Sequence, residues 1–530
     1  MNAASTPPKM DSTRTNSRDP LDETFDAYVK TLLEEWHVPG MSIAVIDGDQ
    51  TFAKGYGISA FPNEPVTPET LFYCASTTKS FTSAAISLLI DDDAQARATS
   101  SQSSTASQTE PLTWKTRIAS VIPDDFVLPD PYATVHATIE DALCHRTGMP
   151  DHEKSFGPTT TSVAAAVRNL RHLPMTSELR GEFMYCNTMY TAVSHVLETK
   201  TGKGMGSFLR DRIWGPLGMM TTYWTLGDAL SAENSGDARL ARGYAWDAVN
   251  GKYVGEELPD FPAVSGSGAT ISNVLDYAKW LKCMMTGSAP LSAAGHAAVV
   301  APRTIVSPPG NNPFKGPNLY ALGWFIDTYR GERIIWHSGG WTGFGSMMAY
   351  LPDRQWSFVM MGNTSKTSNY VIMMLYFRLL DQLLGTPEDE RVDWDIRWKK
   401  VVDDRRDAVA RARERLYPSV PQKPIPRSLP LDKYAGSYWH PGYGVMKFVV
   451  DGANLLADRT EQEIGMEVKL EHVSGEFWLA SLHVSHRDDR DVEVVRAEFY
   501  VSADGNVAKF GAELEPRMGT DKIWFIRRDD

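Results

Sequence analysis

A chain of 530 residues, 42% of them hydrophobic, has volume for two or three domains, so size excludes no class of enzyme. Its formal net charge of -13 argues against a surface that tracks phosphate backbones, and nucleic acid is set aside as a partner. Four cysteines (Cys74, Cys144, Cys186 and Cys283) are too few for a disulfide framework and no Cys/His spacing resembles a zinc site, so reduced thiols and no metal are expected.

Residues 1–20 are polar and proline-bearing, a composition that predicts disorder. They contain no apolar h-region, and no later run approaches a membrane span, so a soluble, cytoplasmic protein is expected. From Leu21, the residues Phe25, Val29 and Leu32 or Leu33 recur at helical spacing until Pro39-Gly40 stops the pattern. "MSIAVIDGDQTFAKGYG" then predicts a hairpin around Asp47-Gly48-Asp49. Phe72 to Asp93 is helix-patterned, and the Ser/Thr/Gln/Ala run 94–110 predicts a flexible surface insertion. From about 112 to 250 the apolar spacing is mostly helical and suits an all-α lobe. The stretch from Tyr320 to Asn363 gives three strand-like runs, with turns at Tyr329–Arg333 and Pro352–Gln355, and "YVIMMLYFRLLDQLLG" closes this unit as a helix, for a domain spanning 21–387. Residues 388–430 predict a charged helical connector and a proline-rich linker. Residues 431–530 alternate apolar and polar positions around Asp451-Gly452 and Asp504-Gly505, as in a small antiparallel barrel or sandwich.

Ser76 and Lys79 stand three residues apart, which on a helix puts a hydroxyl beside an ammonium; an ordinary N-cap serine is the alternative. For the lysine to act as a base it must be largely neutral, and burial against Phe72, Phe81 and Ile86 is one way to lower its pKa. Tyr185 and Asn187, two apart in "MYCNTMY", can offer a phenol and an amide to one pocket, the phenol activated if Lys79 is near. In "WHSGGWTG" a strand ends in small residues, leaving backbone open to an extended substrate. No complete Gly-x-Ser-x-Gly elbow is present.

Ser76-Thr77-Thr78-Lys79, Tyr185-Cys186-Asn187 and His337-Ser338-Gly339, in this order, resemble the three motifs of the serine β-lactamase and penicillin-binding-protein superfamily. The nearest branch is similar to class C β-lactamases, family VIII carboxylesterases and D-aminopeptidases, with "HVPGMSIAVIDGD", "EDALCHRTGMPDH", "SGSGATISNVLDYAKWL" and "YALGWF" as supporting phrases. The tail from "LDKYAGSYWHPGYG" resembles a lipocalin-like β-domain. The fold implied is α+β: an antiparallel sheet flanked by helices, an all-α lobe beside it, the site in the cleft between, and a C-terminal antiparallel barrel.

The resemblance implies Ser76 as acylated nucleophile, Lys79 and Tyr185 as the proton-transfer pair, and Asn187 as an orienting donor. It implies an oxyanion hole from the backbone N–H groups of Ser76 and Gly340, beside the third motif of His337 and Gly339, with no metal or cofactor. His337 stands where β-lactamases acting on carboxylated lactams usually carry a lysine, which shifts the expectation from penicillins toward esters, thioesters or amides. His145 is read as a support of the cleft. Trp336, Trp341 and Phe344 either line an acyl pocket or pack the sheet edge. The leading expectation is a serine hydrolase of a small ester, thioester or amide. The alternatives are an acyltransferase of secondary metabolism, with a carrier-protein-bound acyl group as a partner, and a non-catalytic binding protein. Oligomeric state is left open.

Overall fold

The computed structural model describes residues 19–100, 110–258, 260, 262–307, 314, 316–484 and 492–528. The expected disorder of residues 1–20 falls almost wholly outside these, as does the stretch 101–109 of the expected insertion.

Asp22 caps α1 (Glu23–Glu35) by accepting from the backbone N–H groups of Thr24 and Phe25, and Phe25, Val29, Leu32 and Leu33 form its buried face. Strands β1 (Gly40–Asp47) and β2 (Gln50–Ala60) pair Asp47 with Gln50 across the two-residue turn Gly48-Asp49. Together with β3 (Glu64–Pro65) they form one end of a nine-stranded sheet. The remaining strands come late: β4 (Thr304–Val306), β5 (Asn318–Tyr320), β6 (Phe325–Tyr329), β7 (Glu332–Trp341), β8 (Phe344–Leu351) and β9 (Trp356–Gly362). The order is β3-β2-β1-β9-β8-β7-β6-β5-β4, antiparallel at every pairing. The stretch read as three runs is four strands. Thr342-Gly343 turns the chain between Trp341 and Phe344, and Gly343 supplies the positive φ of 76°.

The sheet is buried on both faces. Ile43, Val45, Met360 and Phe358 pack toward α1 and the closing helix Thr367–Leu383, while Ala44, Ile46, Val359 and Met361 join the second core. That second core is built around α2 (Lys79–Ser100) and reaches into the helical lobe through α3 (Asn187–Thr201). α2 runs seven residues beyond Asp93, which corrects the reading of 94–100 as loop: its alanines favour helix, and Arg97 donates to Asp93 at 2.7 Å, one turn back.

The charged connector is a helix, Trp394–Ala410, whose Trp394 is buried and stacks on Phe377 at 4.3 Å. After it, eight antiparallel strands from Gly436–His440 to Ile523–Arg528 close into a barrel, the first strand pairing with the last through Ser437 and Arg528. Tyr438, Phe448, Trp478, Phe499 and Phe510 are buried in it and pack on one another. No described helix is long and apolar enough to cross a membrane.

Candidate active site

Ser76 lies in a single 3-10 turn, Ala75–Thr78, that feeds into α2 at Lys79, and the N-cap position of that turn belongs to Cys74. Ser76 is therefore not a cap. Ala75 has a φ of 47°, a strained value for a residue with a Cβ, and the turn is tied down around it. The Cys74 carbonyl accepts from Thr77 Oγ1 at 2.8 Å and from Ser346 Oγ at 2.7 Å, and its N–H donates to Thr270 O at 2.9 Å.

Lys79 is fully buried. Its Nζ donates to Ser76 Oγ at 3.1 Å, to Asn187 Oδ1 at 2.6 Å and to Ser267 O at 3.2 Å. It lies over the rings of Tyr185 at 4.8 Å and Tyr190 at 5.3 Å. Burial brings its pKa down to about 7, against the opposing pull of Asp151 and Glu153. Phe81, expected to cover it, packs against Trp214, Tyr277 and Trp280. Tyr185 shares the surroundings of Lys79. Its phenol is held well above the ordinary value, because burial outweighs the hydrogen bond from Ser76, so Tyr185 keeps its proton at neutral pH.

Asn187 opens α3, and its orientation is set by a residue the sequence reading did not single out. Asp151 accepts the Asn187 backbone N–H at 2.7 Å with Oδ1 and its Nδ2 at 2.9 Å with Oδ2, which turns Asn187 Oδ1 toward Lys79. Burial, with Glu153 beside it, raises the Asp151 carboxyl well above the usual carboxylate range. The one signal for Asp151 was its place in "EDALCHRTGMPDH". In the same phrase His145 has a φ of 56°, accepts the Cys186 N–H at Nδ1 and packs at a tilt against Tyr185 at 4.2 Å, a supporting position. Cys74, Cys144 and Cys186 are buried free thiols whose pKa values burial raises.

The third motif lies on β7. β6 pairs with Glu332–Trp336, so His337–Trp341 extends past it and forms a strand edge beside the Ser76 turn. Gly339 is where edge and turn meet: a Cβ there would fall 2.3 Å from Cys74 O. Gly323, with a φ of 79°, makes a similar approach to the Lys79 backbone from the bend before β6. His337 is 2% exposed; its Nδ1–H donates to Ser338 O at 2.6 Å, which leaves Nε2 to accept from Tyr320 OH at 3.0 Å. Burial lowers its pKa to about 3, Lys79 adding to the effect, so the ring is neutral throughout the physiological range.

Of the aromatic residues near this motif, Trp336 stacks on Phe325 and Phe344 packs on Tyr73. Trp341 lines a cavity of about 360 Å³ together with Gly340, Asn369, Arg405 and the barrel residues Ile464 and Val484. Among the described residues no group of three or more His, Cys, Asp or Glu is placed to hold a metal ion. Ser76, Lys79, Tyr185 and Asn187 thus form one cluster, with Gly339 and Gly340 on its flank and His337 turned into the protein.

Comparison with known proteins identifies the family. The profile of the family described as Beta-lactamase matches residues 25–382, two thirds of the chain. The chain belongs to the β-lactamase family. Within this family, which contains serine hydrolases, an unguisins hydrolase of Aspergillus campestris is 39% identical over 97% of this chain and 93% of its own length. A second, from Aspergillus violaceofuscus, is 38% identical over 98% and 92%. The solved octameric penicillin-binding protein homologue from Pyrococcus abyssi shares the fold over 95% of this chain and 99% of its own, with a TM-score of 0.58 at 20% identity. Residues 420–527 match a different profile, a domain of unknown function (DUF3471). In the structure this region is a closed eight-stranded antiparallel barrel.

Proposed function

We propose that this β-lactamase-family hydrolase cleaves an amide or ester bond in a peptide-like substrate through an acyl-enzyme on Ser76. The observation that carries the reading is the 3.1 Å contact between Ser76 Oγ and a buried Lys79 whose pKa is about 7. Burial gives this lysine a free lone pair at pH 7 far more often than an exposed lysine, of which fewer than about one in 10³ has it. Neutral Lys79 takes the Ser76 proton as Oγ bonds the substrate carbonyl carbon. Tyr185, which keeps its own proton, is placed to relay one to the leaving amine or alcohol, and water then attacks the acyl group to release the acid. The N–H groups of Ser76 and Gly340 are assigned to the oxyanion that forms on the way.

The edge at His337–Trp341 suits an extended backbone, which pairs with an open strand. The two relatives named unguisins hydrolases support an unguisin or a related compound as substrate. A neutral, inward-facing His337 supplies no fixed cation for a carboxylate, so penicillin-type lactams are poor substrates in this reading.

The test compares wild type with Ser76→Ala on p-nitrophenyl acetate, a peptide amide and nitrocefin from pH 5 to 10. Expected are a loss of about 10³-fold or more in the variant, an ester or amide rate above that on nitrocefin, and a rising limb of kcat/KM centred near pH 7. Equal rates in both proteins, or a limb centred near pH 10, would overturn the assignment.

A further inference from the structure

The barrel grips the loop that carries Asp151. His152, fully buried with a φ of 48°, gives its backbone N–H to Glu515 Oε2 at 2.8 Å. Its Nε2–H donates to Pro174 O at 2.8 Å, so Nδ1 accepts from Tyr443 OH at 2.6 Å. Lys154 donates to Leu514 O at 3.1 Å and pairs with Glu493 at 2.9 Å, and Glu463 N–H reaches Gly157 O at 2.9 Å. Four successive barrel segments therefore hold residues 152–157.

The residue just before this grip is Asp151, which orients Asn187, which in turn holds Lys79. We propose that the barrel is a positioning domain: Glu515 and Tyr443 fix His152, and through Asp151 and Asn187 they keep Lys79 dry and aimed at Ser76. The proposal rests on the role given to Ser76 and Lys79 above. Glu515 and Tyr443 act through His152 and are positioning residues. A strained φ at a residue with a Cβ persists only where its surroundings over-determine it, and here they are supplied by a separate domain.

Loosening the loop admits water to Lys79 and restores its charge. The groups that face Lys79 are the carboxyls of Asp151 and Glu153, the Cys186 thiol, the imidazoles of His145 and His337, and the phenols of Tyr185 and Tyr190. None of them belongs to the barrel; Glu515 does act on the Cys186 thiol, so Tyr443→Phe, which removes no charge, isolates the path through the loop.

The experiment uses the full chain carrying Glu515→Ala or Tyr443→Phe, with Glu515→Gln as the conservative partner that keeps an acceptor for the His152 N–H. Labelling of Ser76 by an alkyl fluorophosphonate is followed by intact mass from pH 6 to 10, and amide hydrogen exchange is followed at Asn187. Expected for Glu515→Ala and Tyr443→Phe are labelling slowed about tenfold at pH 7, a rising limb shifted up by about one unit, and faster Asn187 exchange. Glu515→Gln should stay within about twofold of wild type. A domain that only stabilises the fold lowers the melting temperature but leaves the pH profile superimposable on wild type, and that result, or unchanged exchange at Asn187, would overturn the proposal. Failure of the probe to label wild-type Ser76 would sink the reactive-pair reading instead, and the exchange measurement would still decide whether the barrel holds Asn187.

Discussion

Replacing Gly339 by alanine tests whether the strand edge and the Ser76 turn work as one unit. The new Cβ would lie 2.3 Å from Cys74 O, 2.5 Å from Ser346 Oγ and 3.1 Å from Ala75 Cβ. Carbon–oxygen contacts settle at about 3.3 Å, so edge and turn must separate by about 1 Å. The turn cannot simply swing away, because the same Cys74 carbonyl is held by Thr77 and Ser346 and the chain there already carries a strained Ala75. Ser76 belongs to the turn and Gly340 to the strand edge, so this separation would move apart the two N–H groups proposed for the oxyanion. A misplacement of about 1 Å costs about 10²-fold in rate, or about 2.7 kcal/mol in the barrier, with about 1–3 kcal/mol of stability lost to overpacking. The assay is kcat/KM on p-nitrophenyl acetate, with circular dichroism confirming the fold. Gly340→Ala is the control, since its Cβ meets only the Asn369 Nδ2 at 3.1 Å, a side-chain end hydrogen-bonded to Gly339 O rather than a backbone atom, and a loss within about fivefold is expected. Wild-type activity in Gly339→Ala, or greater damage from Gly340→Ala, would refute the reasoning.

Two further substitutions probe buried titratable groups by urea denaturation. Glu463, a barrel residue docked on the Ala263 N–H at 2.8 Å, is pushed up to about 8 by burial, with Asp260 adding to the effect. It is ionised when unfolded above its ordinary 4.5, so between 4.5 and 8 the folded state binds the extra proton and stability falls as pH rises. Glu463→Gln keeps the acceptor, and a gain of about 1–3 kcal/mol at pH 8 that vanishes near pH 4.5 is expected; equal gains at both pH values would contradict this. For His337 the sign is reversed: with a folded pKa of about 3 against 6.5 unfolded, the unfolded state binds the extra proton between these values. Stability is therefore lost as pH falls from 6.5 toward 3, at up to about 1.4 kcal/mol per pH unit. His337→Gln, which can still accept from Tyr320, should flatten that slope, and an unchanged slope would place the titration elsewhere.

Local pattern was enough to read α1, the β1–β2 hairpin and the barrel strands, because helical spacing, a two-residue Gly turn and apolar alternation are properties of neighbouring residues. It was also enough to nominate Ser76 with Lys79 and Tyr185 with Asn187, since spacings of three and two already restrict which side chains share a face. Local pattern misled where composition masked propensity, as in the alanine-rich end of α2, and where a run of small residues hid a hairpin, as at Thr342-Gly343.

What the sequence could not decide is everything that depends on burial and on contacts between distant residues. That Tyr185 retains its proton, that His337 turns inward to Tyr320 and that Asp151 orients Asn187 follow from packing that no spacing encodes. The sequence by itself determined the chemical repertoire, a hydroxyl, an amine, a phenol and an amide at motif spacing, and the two-part architecture. Tertiary structure alone decided the state of that repertoire. The pKa of Lys79 comes from burial among distant parts of the chain, such as the backbone carbonyl of Ser267, 188 positions away, and the loop behind Asn187 is held by a barrel whose Glu515 is 363 positions from His152.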